Sequence, residues 1–114
     1  DGSGLSRSNG ISASTLTDML IILKGEKYFD EFYASLPVSG KNGTMVSFGK
    51  GTILENNCAA KSGSMTRVRT YTGYVKSRLG KDLVFTVMFN NYTCEKNEIR
   101  KICEEVIAKI AESN

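Results

Sequence analysis

Histidine and tryptophan are absent from these 114 residues, and proline occurs once, at Pro37. Without histidine, neither a Ser-His-Asp triad nor a His-rich metal site can be built from this chain. Long apolar runs are also missing. The longest, Met19 to Leu23, is far short of the roughly 18 residues needed to span a bilayer. Neither sign of charge dominates: 15 lysines and arginines against 12 acids leave +3, which argues against nucleic acid as the main partner. Cysteine is sparse and odd in number (Cys58, Cys94, Cys103), with no C-x-x-C pair for zinc or redox work. Cys103 shares an apolar helical face with Ile99 and Ile102, which predicts a buried thiol. A Cys94–Cys103 disulfide in an oxidising compartment is left open. What is present, 40% hydrophobic and 24% charged, suits one small folded domain or a piece of a larger one.

The sequence opens on Asp1-Gly2-Ser3-Gly4, without an initiator Met or a signal peptide, and its first eleven residues read as loop. A helix is predicted from Ser14 to Lys24, capped by Ser12 or Ser14 and ended by Gly25. Its apolar stripe is Leu16, Met19, Leu20 and Leu23. A second helix, Lys27 to Leu36, repeats that spacing with Phe29, Phe32, Tyr33 and Leu36, and Pro37 stops it. From Val38 to Asn57 the chain is rich in Gly, Asn and Ser, with one apolar patch at Met45, Val46 and Phe48. A weakly structured stretch of about twenty residues is expected there, lying on a larger body or bordering a functional edge.

Three strands are predicted next. Cys58 to Met65 is built of small residues, as where something must approach a backbone closely. Val68 to Val75 alternates, with Val68, Thr70 and Thr72 on one face and Arg69 and Tyr71 on the other. Leu83 to Phe89 is apolar but for Thr86, as in a strand covered on both faces, and Lys76 to Asp82 suits an antiparallel hairpin. A last helix spans Glu95 to Glu112, with Glu95 and Glu98 complementing its dipole. The fold class is α/β, of the α+β type: three antiparallel strands with flanking helices.

The segment with chemistry in it is Ala59-Ala60-Lys61-Ser62-Gly63-Ser64-Met65. On a strand, Lys61 and Gly63 face one side and Ser62 and Ser64 the other. A Lys-[Ser/Thr]-Gly triplet on an edge strand suits a ligand ending in a carboxylate. The ammonium sets a positive potential, and the hydroxyl donates a charge-assisted hydrogen bond of about 1.5–3 kcal/mol. The glycine lets the ligand lie against the strand, and the next N–H can point at a reacting carbonyl. As a bare triplet this is weak, since Lys-Ser-Gly also arises at ordinary exposed strand ends.

Its surroundings are more specific. Asp1-Gly2-Ser3-Gly4-Leu5-Ser6-Arg7-x-Asn9-x-Ile11-x-x-x-Thr15-Leu16 resembles a stretch of the bacterial D-alanyl-D-alanine carboxypeptidase/endopeptidase family, the class C low-molecular-mass penicillin-binding proteins. Ser35-Leu36-Pro37-Val38-x-Gly40-x-x-Gly43-Thr44, Ala60-Lys61-Ser62-Gly63, Thr72-Gly73-Tyr74-Val75 and Asn90-Asn91-Tyr92 match the same family in the same order. The likeness is to the family's C-terminal part. It implies the serine β-lactamase/penicillin-binding DD-peptidase fold, with residues 1–114 as a C-terminal segment of the penicillin-binding domain and the rest of that domain upstream.

The resemblance implies a serine enzyme of the bacterial periplasm or cell envelope that acylates on peptidoglycan stem peptides ending in D-Ala-D-Ala and is trapped by β-lactams. It implies no cofactor and no metal. Of the family's three site motifs, Ser-x-x-Lys, Ser-x-Asn and Lys-Thr/Ser-Gly, the third maps onto Lys61-Ser62-Gly63. By that mapping Ser62 binds the terminal carboxylate, Lys61 polarises the site and the Ser64 N–H forms half of the oxyanion hole. No Ser here is followed two residues later by Asn. One Ser-x-x-Lys occurs, Ser47-Phe48-Gly49-Lys50, but Gly49 and Gly51 argue against the helix such a nucleophile needs. Nucleophile and lysine base are therefore expected upstream, in the rest of the parent chain, and this segment alone is expected to be silent. The alternatives are a non-catalytic peptidoglycan-binding or scaffold module, or a β-lactamase relative.

Some positions depart from the family pattern or carry a second reading. Ser62 keeps the hydroxyl of the usual Thr, and Ser64 stands where Thr is common. Arg67 stands where Gly is frequent and reads as a solvated hairpin charge ahead of a contact to acidic groups on peptidoglycan. Arg7 suits the active-site floor and an ordinary loop equally. Tyr71 and Tyr74 beside Arg67 and Arg69 only mimic a nucleic-acid stacking face.

Overall fold

The computed structural model describes residues 2–114; Asp1, which opens the first quoted block, lies outside the described residues. Gly2 to Ile11 is exposed loop apart from a half-buried Ser6, and Arg7 stands exposed within it. Helix α1 is Ala13–Lys24, and Ser12 caps it: its Oγ accepts from the Thr15 N–H at 3.1 Å. Helix α2 is Phe29–Ser35, shorter than expected at its start because Lys27 and Tyr28 belong to the preceding turn. Leu36 ends it in an extended conformation, as the residue before a proline must. The expected stripe on α1 is only partly core. Leu20 is buried, but Met19 is 45% exposed and the neighbouring Ile22 is 67% exposed.

Strands β1 (Cys58–Met65), β2 (Val68–Lys76) and β3 (Asp82–Asn90) form one antiparallel sheet in the order β1-β2-β3. Helix α1 packs on β2 and β3 together with helix α3 (Lys96–Glu112). The two helices take opposite faces, because the side chains they meet alternate along the strands. Tyr74 and Ala59 pack with Leu20 and Leu36, whereas Tyr71, Val75 and Phe85 pack with Ile99 and Cys103. That double cover accounts for apolar residues on both faces of β3, interrupted only by Thr86. On the α1 side Thr72 and Thr86 share a hydrogen bond of 2.7 Å, and the Thr17 hydroxyl of α1 donates to Thr86 at 3.0 Å. Tyr71 and Tyr74 are both buried and face opposite ways, so they offer no stacking platform.

Residues 38–57 differ from expectation. The segment lacks repetitive structure, apart from one 3₁₀ turn at Gly43–Met45, but it is well packed. Met45, Phe48 and Leu54 are fully buried, and only Val46 of the apolar patch faces out. Backbone bonds tie it into a knot of turns: Gly40 N–H to Met45 O at 2.9 Å and Asn56 N–H to Ser39 O at 2.8 Å. The buried Ser39 hydroxyl donates to Phe48 O at 2.6 Å. Gly49 holds φ +64°, and a Cβ there would stand 2.7 Å from Leu54 Cβ and 2.9 Å from Ser39 Oγ. Long-range packing, not local periodicity, holds this segment.

The three cysteines are free thiols, with Cys58 and Cys103 fully buried. Burial pushes the Cys58 thiol up to about 12 from an ordinary 9, and the same cause lifts Cys103 to about 11. Each folded value lies above the unfolded one. The associated stability is therefore complete below about pH 9 and is lost as the pH rises through 11 and 12. A urea midpoint that falls between pH 8.5 and 10.5 is the expected result, and Cys58→Ala should flatten the fall. An equal fall in that variant would assign the effect to other groups.

Candidate functional site

β1 lies at the edge of the sheet, and only part of that edge is covered. Val38 bridges Ala59, the Ser39 N–H reaches Cys58 O at 2.8 Å, and the Ala60 N–H reaches Pro37 O at 3.0 Å. Cys58 and Ala60 thus turn their backbone groups outward. Alternation along an antiparallel strand puts the N–H and C=O of Ser62 and Ser64 on the same outer side, beyond the covering segment. Lys61, Ser62, Gly63 and Ser64 therefore occupy the open stretch of the edge. A Cβ on Gly63 would meet only Thr70 Cβ at 3.6 Å, so internal packing does not demand glycine there. What glycine adds is a bare surface for an approaching chain.

The side chains divide as the alternation predicts. Lys61 is exposed, and its ammonium donates to Ser62 O at 2.7 Å. Ser62 points to the face of Tyr71, its register partner, and its hydroxyl donates to Thr44 Oγ1 at 2.9 Å. Thr44 thus joins the site from the 3₁₀ turn. Its contact with Ser62 spans a separation that no local pattern reports. Beneath them the Phe48 and Tyr71 rings lie 4.5 Å apart, and the Arg69 guanidinium stands 5.8 Å from the Tyr71 centroid. Burial raises the pKa of the Tyr71 phenol, with the Arg69 charge pulling it the other way. On the same side Arg100 Nη2 donates to Ser47 Oγ at 2.9 Å, and Arg100 Nε donates to Glu104 at 3.0 Å.

The Ser47–Lys50 coincidence ends here. The segment is a series of turns with Gly49 and Gly51 at φ +64° and +74°, and Ser47 is engaged by Arg100. Nothing in it resembles a helix that would set a lysine opposite a serine. Arg67 is an exposed hairpin charge, as expected, but it also carries contacts of its own. It holds φ +58° in the two-residue turn between Met65 and Val68, the left-handed geometry that glycine adopts without strain. Its guanidinium donates to Asn91 O at 3.0 Å and Tyr92 O at 3.2 Å. It clips the site end of the hairpin to the loop after β3. Beyond Ser64 the edge opens into a cleft of about 650 Å³ bordered by Met65, Arg67, Tyr92 and Lys96.

The arrangement can bind an extended, carboxylate-terminated chain along an edge that offers outward N–H groups, a hydroxyl and an ammonium. Among the described residues no group of three or more Cys, Asp or Glu side chains is placed to hold a metal ion, and no helix is long and apolar enough to cross a membrane.

Comparison with known proteins agrees with this geometry. The chain matches the model of the D-Ala-D-Ala carboxypeptidase 3 (S13) family over residues 1–112. It is 36% identical over 98 residues to a D-alanyl-D-alanine carboxypeptidase of Actinomadura sp. (strain R39), an alignment covering 82% of this chain and 18% of that protein. It is 28% identical over 97 residues to the D-alanyl-D-alanine carboxypeptidase DacB of Haemophilus influenzae, covering 82% and 20%. The chain thus spans about a fifth of the length of these curated relatives. Penicillin binding protein 4 (dacB) of Haemophilus influenzae, complexed with a β-lactam, superposes with a TM-score of 0.86 at 24% identity, over 98% of this chain and 28% of that one. Bd3459, a peptidoglycan endopeptidase of Bdellovibrio bacteriovorus, gives 0.72 at 20% identity, over 100% and 31%. The three antiparallel strands with their flanking helices are therefore part of the DD-peptidase fold.

Proposed function

The chain belongs to the D-Ala-D-Ala carboxypeptidase 3 (S13) family, and from that premise we propose that it is the C-terminal part of a serine-type D-Ala-D-Ala carboxypeptidase or endopeptidase of the bacterial envelope. The substrate is a peptidoglycan stem peptide, and β-lactams acylate the same serine. The observation that supports this best is the placement of Lys61-Ser62-Gly63-Ser64 on the uncovered stretch of β1, with the Ser62 and Ser64 backbone groups turned outward.

In this reading the substrate lies antiparallel along that stretch. Ser62 redirects its proton from Thr44 to the terminal carboxylate, and Lys61 holds a positive potential beside it. A serine upstream attacks the carbonyl of the penultimate D-Ala while the Ser64 N–H stabilises the oxyanion. The C–N bond breaks, the terminal D-Ala leaves with a proton, and water hydrolyses the acyl-serine. Nucleophile and base come from the remainder of the chain, for which the exposed Met19, Ile21 and Ile22 of α1 offer an apolar packing face.

Fluorescent penicillin tests the assignment. The whole protein should carry a covalent adduct on a serine preceding Asp1, and residues 1–114 alone should carry none. Ser62→Ala should slow acylation about 10- to 100-fold, the equivalent of one charge-assisted hydrogen bond. An adduct on Ser47 or any serine of this segment overturns the reading, as does a whole protein that neither takes the label nor releases D-Ala.

A further inference from the structure

Resting on that carboxypeptidase reading, we propose that Arg69 is a second ligand for the substrate's terminal carboxylate, acting beside Ser62. Arg69 sits on β2 as the register partner of Ser64, so its side chain emerges on the face shared by Ser62 and Ser64. The guanidinium leans along the strand to stand 5.8 Å from the centre of the Tyr71 ring, and Tyr71 is the register partner of Ser62. The charge therefore lies in the Ser62 row, one strand behind the open edge.

What distinguishes this arginine is that it is unpaired. Its Nε is buried without a hydrogen-bond partner, and among the described residues no ion pair or hydrogen bond involves its side chain. The ring contact orients the guanidinium but satisfies none of its five N–H donors. The other two arginines near the site are engaged. Arg100 is held by Ser47 and Glu104, and Arg67 by two backbone carbonyls. A half-buried guanidinium without an anion is costly to maintain, and planar bidentate recognition of a carboxylate is what such a group does best. Glu104 on α3 faces the same Tyr71 and Cys103, but its carboxylate is engaged by Arg100, which leaves the substrate's own terminus as the anion for Arg69. Ser62 fixes one oxygen through a single hydroxyl, and Arg69 would add charge and a second direction to the same group.

Steady-state kinetics of the whole enzyme test this with a peptide ending in D-Ala-D-Ala and its C-terminal amide. The wild type should prefer the free acid by tenfold or more in kcat/KM. Arg69→Met keeps an unbranched stem over Tyr71 and removes the charge. It should cut kcat/KM for the acid about 10- to 100-fold, mainly through KM, and bring the acid-to-amide preference close to one. Arg69→Lys keeps the charge without the fork and should retain part of the preference. An equal loss on acid and amide would show a purely structural role. An unchanged preference would show that Arg69 takes no part in recognising the carboxylate, and either result overturns the proposal. Should Arg69→Met fail to fold, the wild-type preference and the lysine variant decide alone. A wild type that cleaves neither peptide and takes no penicillin label defeats the carboxypeptidase reading itself, a result distinct from a failure of the arginine's role.

Discussion

Gly73→Ala separates β1 from β2 and destabilises the fold by on the order of 3 kcal/mol or more. A methyl group at that position would meet the Ala59 carbonyl oxygen and stand 2.6 Å from Ala60 Cα and 2.7 Å from Ala60 Cβ. These atoms belong mostly to a paired backbone that cannot swing aside, so the strands must part. The damage falls at Ala60, the residue before Lys61, and propagates into the open edge. The expected result is a lower denaturation midpoint together with loss of penicillin acylation in the whole enzyme. Gly63→Ala provides the contrast. Its methyl would make only ordinary contact with Thr70 at 3.6 Å, so the midpoint should hold while a ligand lying on the strand meets the new methyl. Equal midpoints for Gly73→Ala and the wild type would contradict the close approach.

Phe48→Ala has an effect of similar size and a different origin. The ring is fully buried, tilted 36° against Tyr71 at 4.5 Å, and it sits in a turn segment with no ladder of its own. Removing it should cost about 3–5 kcal/mol from lost burial and the cavity left behind. Because Thr44 and Ser47 flank the same turns, the Thr44–Ser62 and Arg100–Ser47 hydrogen bonds should loosen with it. Denaturant titration of Phe48→Ala and Phe48→Leu checks this, with leucine recovering a large part of the loss. A cost below about 1 kcal/mol for alanine would mean that the segment is held by its backbone bonds alone.

The helices and strands were legible because their signals are local. Ser12, Gly25 and Pro37 mark helix ends, and period-two alternation separates Tyr71 from Thr72. The Lys61-Ser62-Gly63 triplet was legible because it lies inside longer blocks of resemblance. Which strand edge stays open is not a local property. It depends on Pro37 to Ser39 folding back onto Cys58 to Ala60, and no spacing rule reports that. The tight packing of residues 38–57 was hidden for the same reason, since Phe48 meets Tyr71 across a long sequence separation. Arg67 shows a further limit. Its exposure in a hairpin turn is legible, but its contacts with the carbonyls of Asn91 and Tyr92, more than twenty residues away, are not.

The partial cover on β1 has a consequence for how molecules meet one another. The bare stretch, residues 61 to 65, runs for about 16 Å at the usual rise of a strand. An uncovered edge normally invites the matching edge of a second copy, the first step of sheet-to-sheet aggregation. Here such a pairing would bring two Lys61 ammoniums onto one short ladder and would find glycine and serine in place of the branched side chains that zip strands together. The turn at Thr66 and Arg67 ends the ladder on one side, and the Pro37 to Ser39 strip ends it on the other. The edge is thus short, cationic and poor in apolar grip. Such an edge discourages its own kind.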